Sequence, residues 1–179
     1  MIFGKGINDL SCTNEGYSTW HSMIRRCYSD VYQKRKPTYK NCQVDEDWLL
    51  FSNFYEWYKE NYVEGWHLDK DLIGTGELYS KENCVFLPNI INSAIEYKVN
   101  NGLPSGVSHK TKNNNYVAQL SIGYNGKRKN KHLCSSTDPM LCFVAYKDAK
   151  EKYIKELADL YKDRLHPKAY EALYNFEVT

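Results

Sequence analysis

Charge is sorted along this chain in blocks, and the sorting limits how the chain can fold. Residues 97–137 hold seven Lys or Arg and no Asp or Glu, while residues 45–96 hold three basic and eleven acidic residues. Neighbouring segments of opposite sign read as two modules with different partners. A cation suits the acidic block, and a phosphate backbone suits the basic one. The flanking segments carry +4 (1–44) and −1 (138–179). With 179 residues, 42% of them apolar and 15% aromatic, there is core material for one large domain or two small ones, which argues against wholesale disorder.

Periodicity predicts the elements. The first dozen residues lack it and read as an arm. Tyr17, Trp20, Met23, Ile24 and Cys27 recur at helical spacing over 15–28, with Arg25 and Arg26 off that stripe. VYQKRKPTYKNC reads as a polar, basic loop. Asp45 or Asp47 can cap a helix running to about Tyr62, whose Trp48, Leu50, Phe51, Phe54, Trp57 and Tyr58 cover most of its circumference. Residues 66–92 read as strand, long polar turn, strand, helix. Asn100 to Pro104 reads as a linker between modules at 1–99 and 104–179.

In the second module, 116–122 alternates strictly, with Tyr116, Ala118, Leu120 and Ile122 on one face and Val117, Gln119 and Ser121 on the other. Asn125-Gly126 supplies the positive φ of a tight hairpin turn. Flanking strands follow at GVSHK and KRKNKHLC. Asp138-Pro139 opens a helix to about Arg164, with an apolar stripe of Leu141, Val144, Ala145, Ala149, Tyr153, Leu157 and Leu160 and a short tail folding back after it. The expected fold is therefore α+β, ending in a three-stranded antiparallel sheet packed on one long helix.

The six cysteines form no CxxC and have no His at zinc-ligand spacing, so no structural zinc is expected and the thiols read as reduced. No signal peptide and no membrane-length apolar run are present, so a cytoplasmic setting without a membrane partner is expected.

Several motifs carry a resemblance. Trp20-x-x-Met23-x-x-Arg26-Cys27, Val44 to Trp48 with Phe51-x-x-Phe54, Leu68-Asp69-Lys70-Asp71, Tyr79 to Cys84 and Asn92 resemble the HNH, or His-Me finger, endonucleases common in bacteriophages, over about 17–97. Gly106-Val107, Tyr116-Val117-Ala118, the Asn-Gly hairpin, Lys131-His132-Leu133 and Ala145-Tyr146 resemble the AP2 DNA-binding domain, over about 104–162. Together they imply an HNH-like ββα unit with supporting helices, followed by an AP2-like module. The implied activity is metal-dependent nicking or cleavage of double-stranded DNA, in a host cytoplasm if the chain is phage-encoded.

The resemblance also implies roles. Asp69 and Asn92 match the ligands of a single Mg²⁺ or Mn²⁺, and Asn83 matches the Asn that fixes the turn. Lys70 stands where the family's general-base His is expected, and an unperturbed Lys, with a pKa of about 10.4, is a poor base at neutral pH. It reads instead as a phosphate-holding charge. His67, two residues before Asp69 on an extended strand, is the alternative base. For DNA, Ser108, Lys110, Gln119, Ser121, Asn130 and His132 are expected on the exposed sheet face, with phosphate contacts from Lys112, Lys127, Arg128, Lys129 and Lys131. The rival expectation is a catalytically inactive relative that occupies DNA, or that inhibits a host defence enzyme by binding a host nucleic-acid-handling protein, in the anti-CRISPR manner.

Overall fold

The computed structural model describes residues 1–10, 15–74, 76–96, 102–124 and 127–179, with backbone alone at 124, 127 and 128. The Asn125-Gly126 turn and the first two residues of the expected linker, Asn100 and Asn101, lie outside the described residues. The chain is a mixed α+β protein that divides into two compact units, Met1–Asn89 and Ile90–Thr179.

In the first unit, α1 (Tyr17–Tyr28) forms where the apolar spacing predicts it and buries Trp20, Met23, Ile24 and Cys27. The segment read as a loop instead holds α2 (Asp30–Arg35) and a 3₁₀ turn (Pro37–Tyr39). Ser29 caps α2 by accepting from the Tyr32 amide. β1 (Gln43–Val44) follows. The single helix expected over 45–62 is two pieces. The Asp45 side chain caps a 3₁₀ turn (Glu46–Leu49), the chain extends at Leu50, and α3 (Phe51–Asn61) starts afresh.

That second start is capped from the arm. Asp9 accepts from the Ser52 amide (2.9 Å) and hydroxyl, and Ile7 exchanges backbone bonds with Leu49 and Phe51. Hydrogen bonding to Ser52 holds the Asp9 carboxyl below its ordinary pKa. Residues 2–9 are thus a built part of the unit. Trp20, Phe51 and Phe54 pack in the core, with the Trp20 indole donating to Trp48 O at 2.7 Å.

β2 (Trp66–Asp69) pairs antiparallel with β4 (Val85–Pro88), Asp69 opposite Val85. Between them β3 (Leu78–Tyr79) pairs parallel with β1, a long-range contact that no local pattern signals. β4 runs directly into α4 (Asn89–Ile95). From Ile90 onward α4 belongs to the second unit, where the Ile90 side chain closes on Gly123. The division therefore falls earlier than the expected linker.

In the second unit, β5 (Val107–Lys110), β6 (Asn115–Tyr124) and β7 (Lys127–Ser136) form an antiparallel meander, with a 3₁₀ turn (Thr111–Asn113) between the first two. α5 (Pro139–Leu160) is capped by Asp138, which accepts from the Met140 amide at 2.8 Å. Val107, Ala118 and Cys142 form the cluster between helix and sheet, joined by Tyr116, Leu133, Cys134 and Tyr146. Gly106 (φ 72°) admits no side chain, because a Cβ there would lie 2.2 Å from the Tyr146 ring.

The buried stripe of α5 is Cys142, Tyr153, Ile154, Leu157 and Ala158. Leu141, Val144 and Leu160 of the expected stripe are exposed, which corrects the helix's rotation. The tail folds back as α6 (Pro167–Tyr174), where Tyr170 donates to Asp159 at 2.9 Å, and Glu151 takes the Val178 amide at 2.9 Å. Among the described residues no helix is long and apolar enough to cross a membrane, and Cys27, Cys42, Cys84, Cys134 and Cys142 are free thiols.

Candidate functional site

The loop between β2 and β3 is built around Asp69. Its Oδ1 accepts the backbone N–H groups of Asp71 (3.0 Å) and Leu72 (2.8 Å), so the side chain closes its own turn. Among the described residues both bonds fall on Oδ1 and none on Oδ2. Asp69 is buried, and burial lifts its pKa above the ordinary value, outweighing the Leu72 amide that favours the anion. Mg²⁺ and Mn²⁺ take one or two protein carboxylates and leave room for water and substrate phosphate. A hard carboxylate oriented through one oxygen fits that donor set. No group of three or more His, Cys, Asp and Glu among the described residues could hold a metal, so a cation here would lean on amide oxygens, phosphate and water.

Lys70 is engaged within the loop. It is buried, with its ammonium 2.7 Å from Asp71 Oδ1, donating also to Gly76 O, and lying 5.6 Å and 5.5 Å from the ring centres of Tyr39 and Tyr79. Burial opposes its charge, but the bond and charge of Asp71 outweigh this and raise its pKa. The ammonium is held charged and turned inward. It ties both ends of the 70–76 loop.

Asn83 braces the same loop, donating to Leu78 O at 3.4 Å, and Gly74 passes so close that a Cβ there would meet Lys70 O at 2.6 Å and Asn83 Cβ at 2.8 Å. His67 is exposed on β2, opposite Leu87. Asn92 is half-buried on the α4 segment of the second unit. The partners of Lys70 were missed by sequence reasoning. Tyr39 reaches it from a turn about thirty residues earlier, and Arg26 joins by donating to the Tyr79 hydroxyl at 3.3 Å. Only the long-range β1–β3 pairing could have pointed to them.

The second candidate is the sheet face turned away from α5. Register sets Gln119 opposite His132, Ser121 opposite Asn130, and Ser108 opposite Val117. Ser108, Lys110, Gln119, Ser121, Asn130 and His132 are all exposed. Leu133 is an extra residue where the register slips between Ala118 and Gln119. That bulge lets the His132 ring meet Ser135 Oγ at 2.9 Å.

The same register places two of the expected phosphate-contact residues. Lys131 stands opposite Leu120 and Lys129 opposite Ile122, so strand alternation sends both to the helix side rather than to the open face. Both are exposed there, along the outer strand. Lys112 is exposed in the 3₁₀ turn. The side chains of Lys127 and Arg128 lie outside the described residues. No protein-family model matches the chain, and neither a curated protein nor a solved structure matches it.

Proposed function

We propose that this chain binds double-stranded DNA through the open face of the β5–β6–β7 sheet and hydrolyses its phosphodiester backbone with a divalent cation, Mg²⁺ or Mn²⁺, at Asp69, as an HNH/AP2-type endonuclease. The register-aligned open face carries the binding half. Its exposed polar side chains sit in two adjacent cross-strand rows, and no carboxylate occurs in the three strands. A short antiparallel sheet of this breadth fits the major groove, where Gln and Asn can read base edges and Lys110 can take a phosphate.

The hydrolytic half rests on the resemblance and on the orientation of Asp69. Asp69 is the cation ligand that the resemblance assigns to the first unit. A bound cation would supply Lewis-acid stabilisation of the leaving oxygen. His67, exposed on β2, is the group left to take a proton from water, since Lys70 is committed to the loop. Supercoiled plasmid incubated with protein and Mg²⁺ or Mn²⁺ tests this half. Nicking that disappears in Asp69→Ala supports it.

The locked Lys70 favours a second reading, a relative that keeps the scaffold and binds without cutting. Tight, salt-sensitive DNA binding with no nicking under any divalent ion would select that reading. Binding to a host protein and not to DNA would select the inhibitor form of it.

A further inference from the structure

We infer that the elbow formed by the end of α1, α2 and the following 3₁₀ turn is a second DNA-backbone contact surface, carried by the first unit. The inference takes the polymer, duplex DNA, from the reading above and is otherwise independent of the sheet.

Residues 25–40 hold six Lys or Arg and a single acid, Asp30. Arg25, Lys34, Arg35, Lys36 and Lys40 are all exposed, and no ion pair among the described residues involves them. Solvated charge runs of this kind are common on mobile loops, but this one is built. None of the residues of α2 is buried, so the helix adds nothing to a core. It is nevertheless pinned. The Gln33 side-chain amide donates to the carbonyls of Arg26 (3.4 Å), Cys27 and Tyr39 (3.3 Å), joining α1, α2 and the 3₁₀ turn through one side chain.

The rings order the cations as well. The Arg25 guanidinium lies 5.0 Å from the Tyr32 ring centre, and Tyr32 meets Tyr39 edge-on at 5.8 Å. Stacking on a ring fixes a guanidinium while leaving its N–H donors for an acceptor. A rigid, carboxylate-poor surface with a stacked arginine and point-charge lysines matches the chemistry of consecutive phosphates.

The test is fluorescence anisotropy of a labelled duplex with the full chain across a salt series. The triple variant Lys34→Gln/Arg35→Gln/Lys36→Gln changes only exposed side chains, and its melting curve checks the fold. It should bind at least tenfold more weakly near physiological salt, with the log–log salt slope reduced by about 2 to 3. The double variant Arg25→Gln/Lys40→Gln should reduce the slope by about 2. If both elbow variants keep the wild-type slope while Lys110→Gln/Lys112→Gln loses part of it, the elbow inference is overturned and the sheet reading stands. A wild-type chain that does not bind the duplex overturns both.

Discussion

The 69–83 loop of the first unit and the open sheet face of the second spend their polar groups in opposite directions. In the loop, Asp69 binds its own backbone, Lys70 is taken up by Asp71, Gly76 O and two rings, and Asn83 is bonded to Leu78. On the sheet, Gln119, Ser121 and Asn130 face water on strands whose backbone is paired and whose other face is packed on α5. The difference separates polar residues that hold a fold from those available to a partner. A residue type that suggests chemistry can be fully occupied in shaping a turn, and a modest Gln or Asn on a rigid strand can be free to recognise something.

Asp69 uses one carboxylate oxygen for its turn, and the largest expected effect tests whether its charge has a further use. Asp69→Asn keeps an acceptor for the Asp71 and Leu72 amides but loses the anion. Plasmid nicking should fall by about a thousandfold or more, in the range of losing a principal catalytic electrostatic group, while the melting temperature holds or rises. A coupled loss of fold and nicking would make Asp69 structural only.

Next in size is Lys70→Met. It leaves Asp71 and Gly76 O without their cation and should cost about 1–3 kcal/mol in denaturant unfolding. The same change at exposed Lys129 or Lys131 should fall within about 0.5 kcal/mol. Equal costs would erase the contrast between spent and spare charges.

Asp69 also carries a pH signature. Its folded pKa is raised, so the folded chain holds that proton more tightly than the unfolded one. From this group, stability is fullest below the unfolded value and declines as pH rises through the folded value. Cation binding runs the other way, because the ligand must be deprotonated. Mn²⁺ protection against thermal unfolding should therefore strengthen as pH rises through the folded pKa, and Asp69→Asn should abolish the dependence. The smallest effect is expected on the face. Gln119→Ala or Asn130→Ala should each weaken duplex binding about five- to tenfold, roughly 1 kcal/mol, without changing stability.

Local signals carried much of the fold. The stripe of α1, the alternation of β6 and the Asp138-Pro139 start of α5 all depend on residues a few positions apart, and each is where the spacing places it. What escaped depends on distant partners. The cap of α3 comes from Asp9, the β1–β3 pairing spans 35 residues in register, and α2 is held by Gln33 rather than by any buried stripe.

At the candidate site, the sequence suggested Lys70 as a charge for phosphate because Tyr39 and Tyr79 could not be placed around it. The side of Lys129 and Lys131 was legible. Alternation with Asn130 and His132 already sends them to the other face, and the register confirms that side.

The central claim is that the open sheet face is the DNA-binding surface. Gln119→Glu, at the middle of that face, puts a carboxylate against the expected groove, and exposed Lys155→Glu on α5 makes a larger charge change away from it. With both variants folded, the account predicts that Gln119→Glu weakens duplex binding at least tenfold near physiological salt, while Lys155→Glu has the smaller effect of a distant screened charge. Equal weakening by the two, or none from Gln119→Glu, would contradict it.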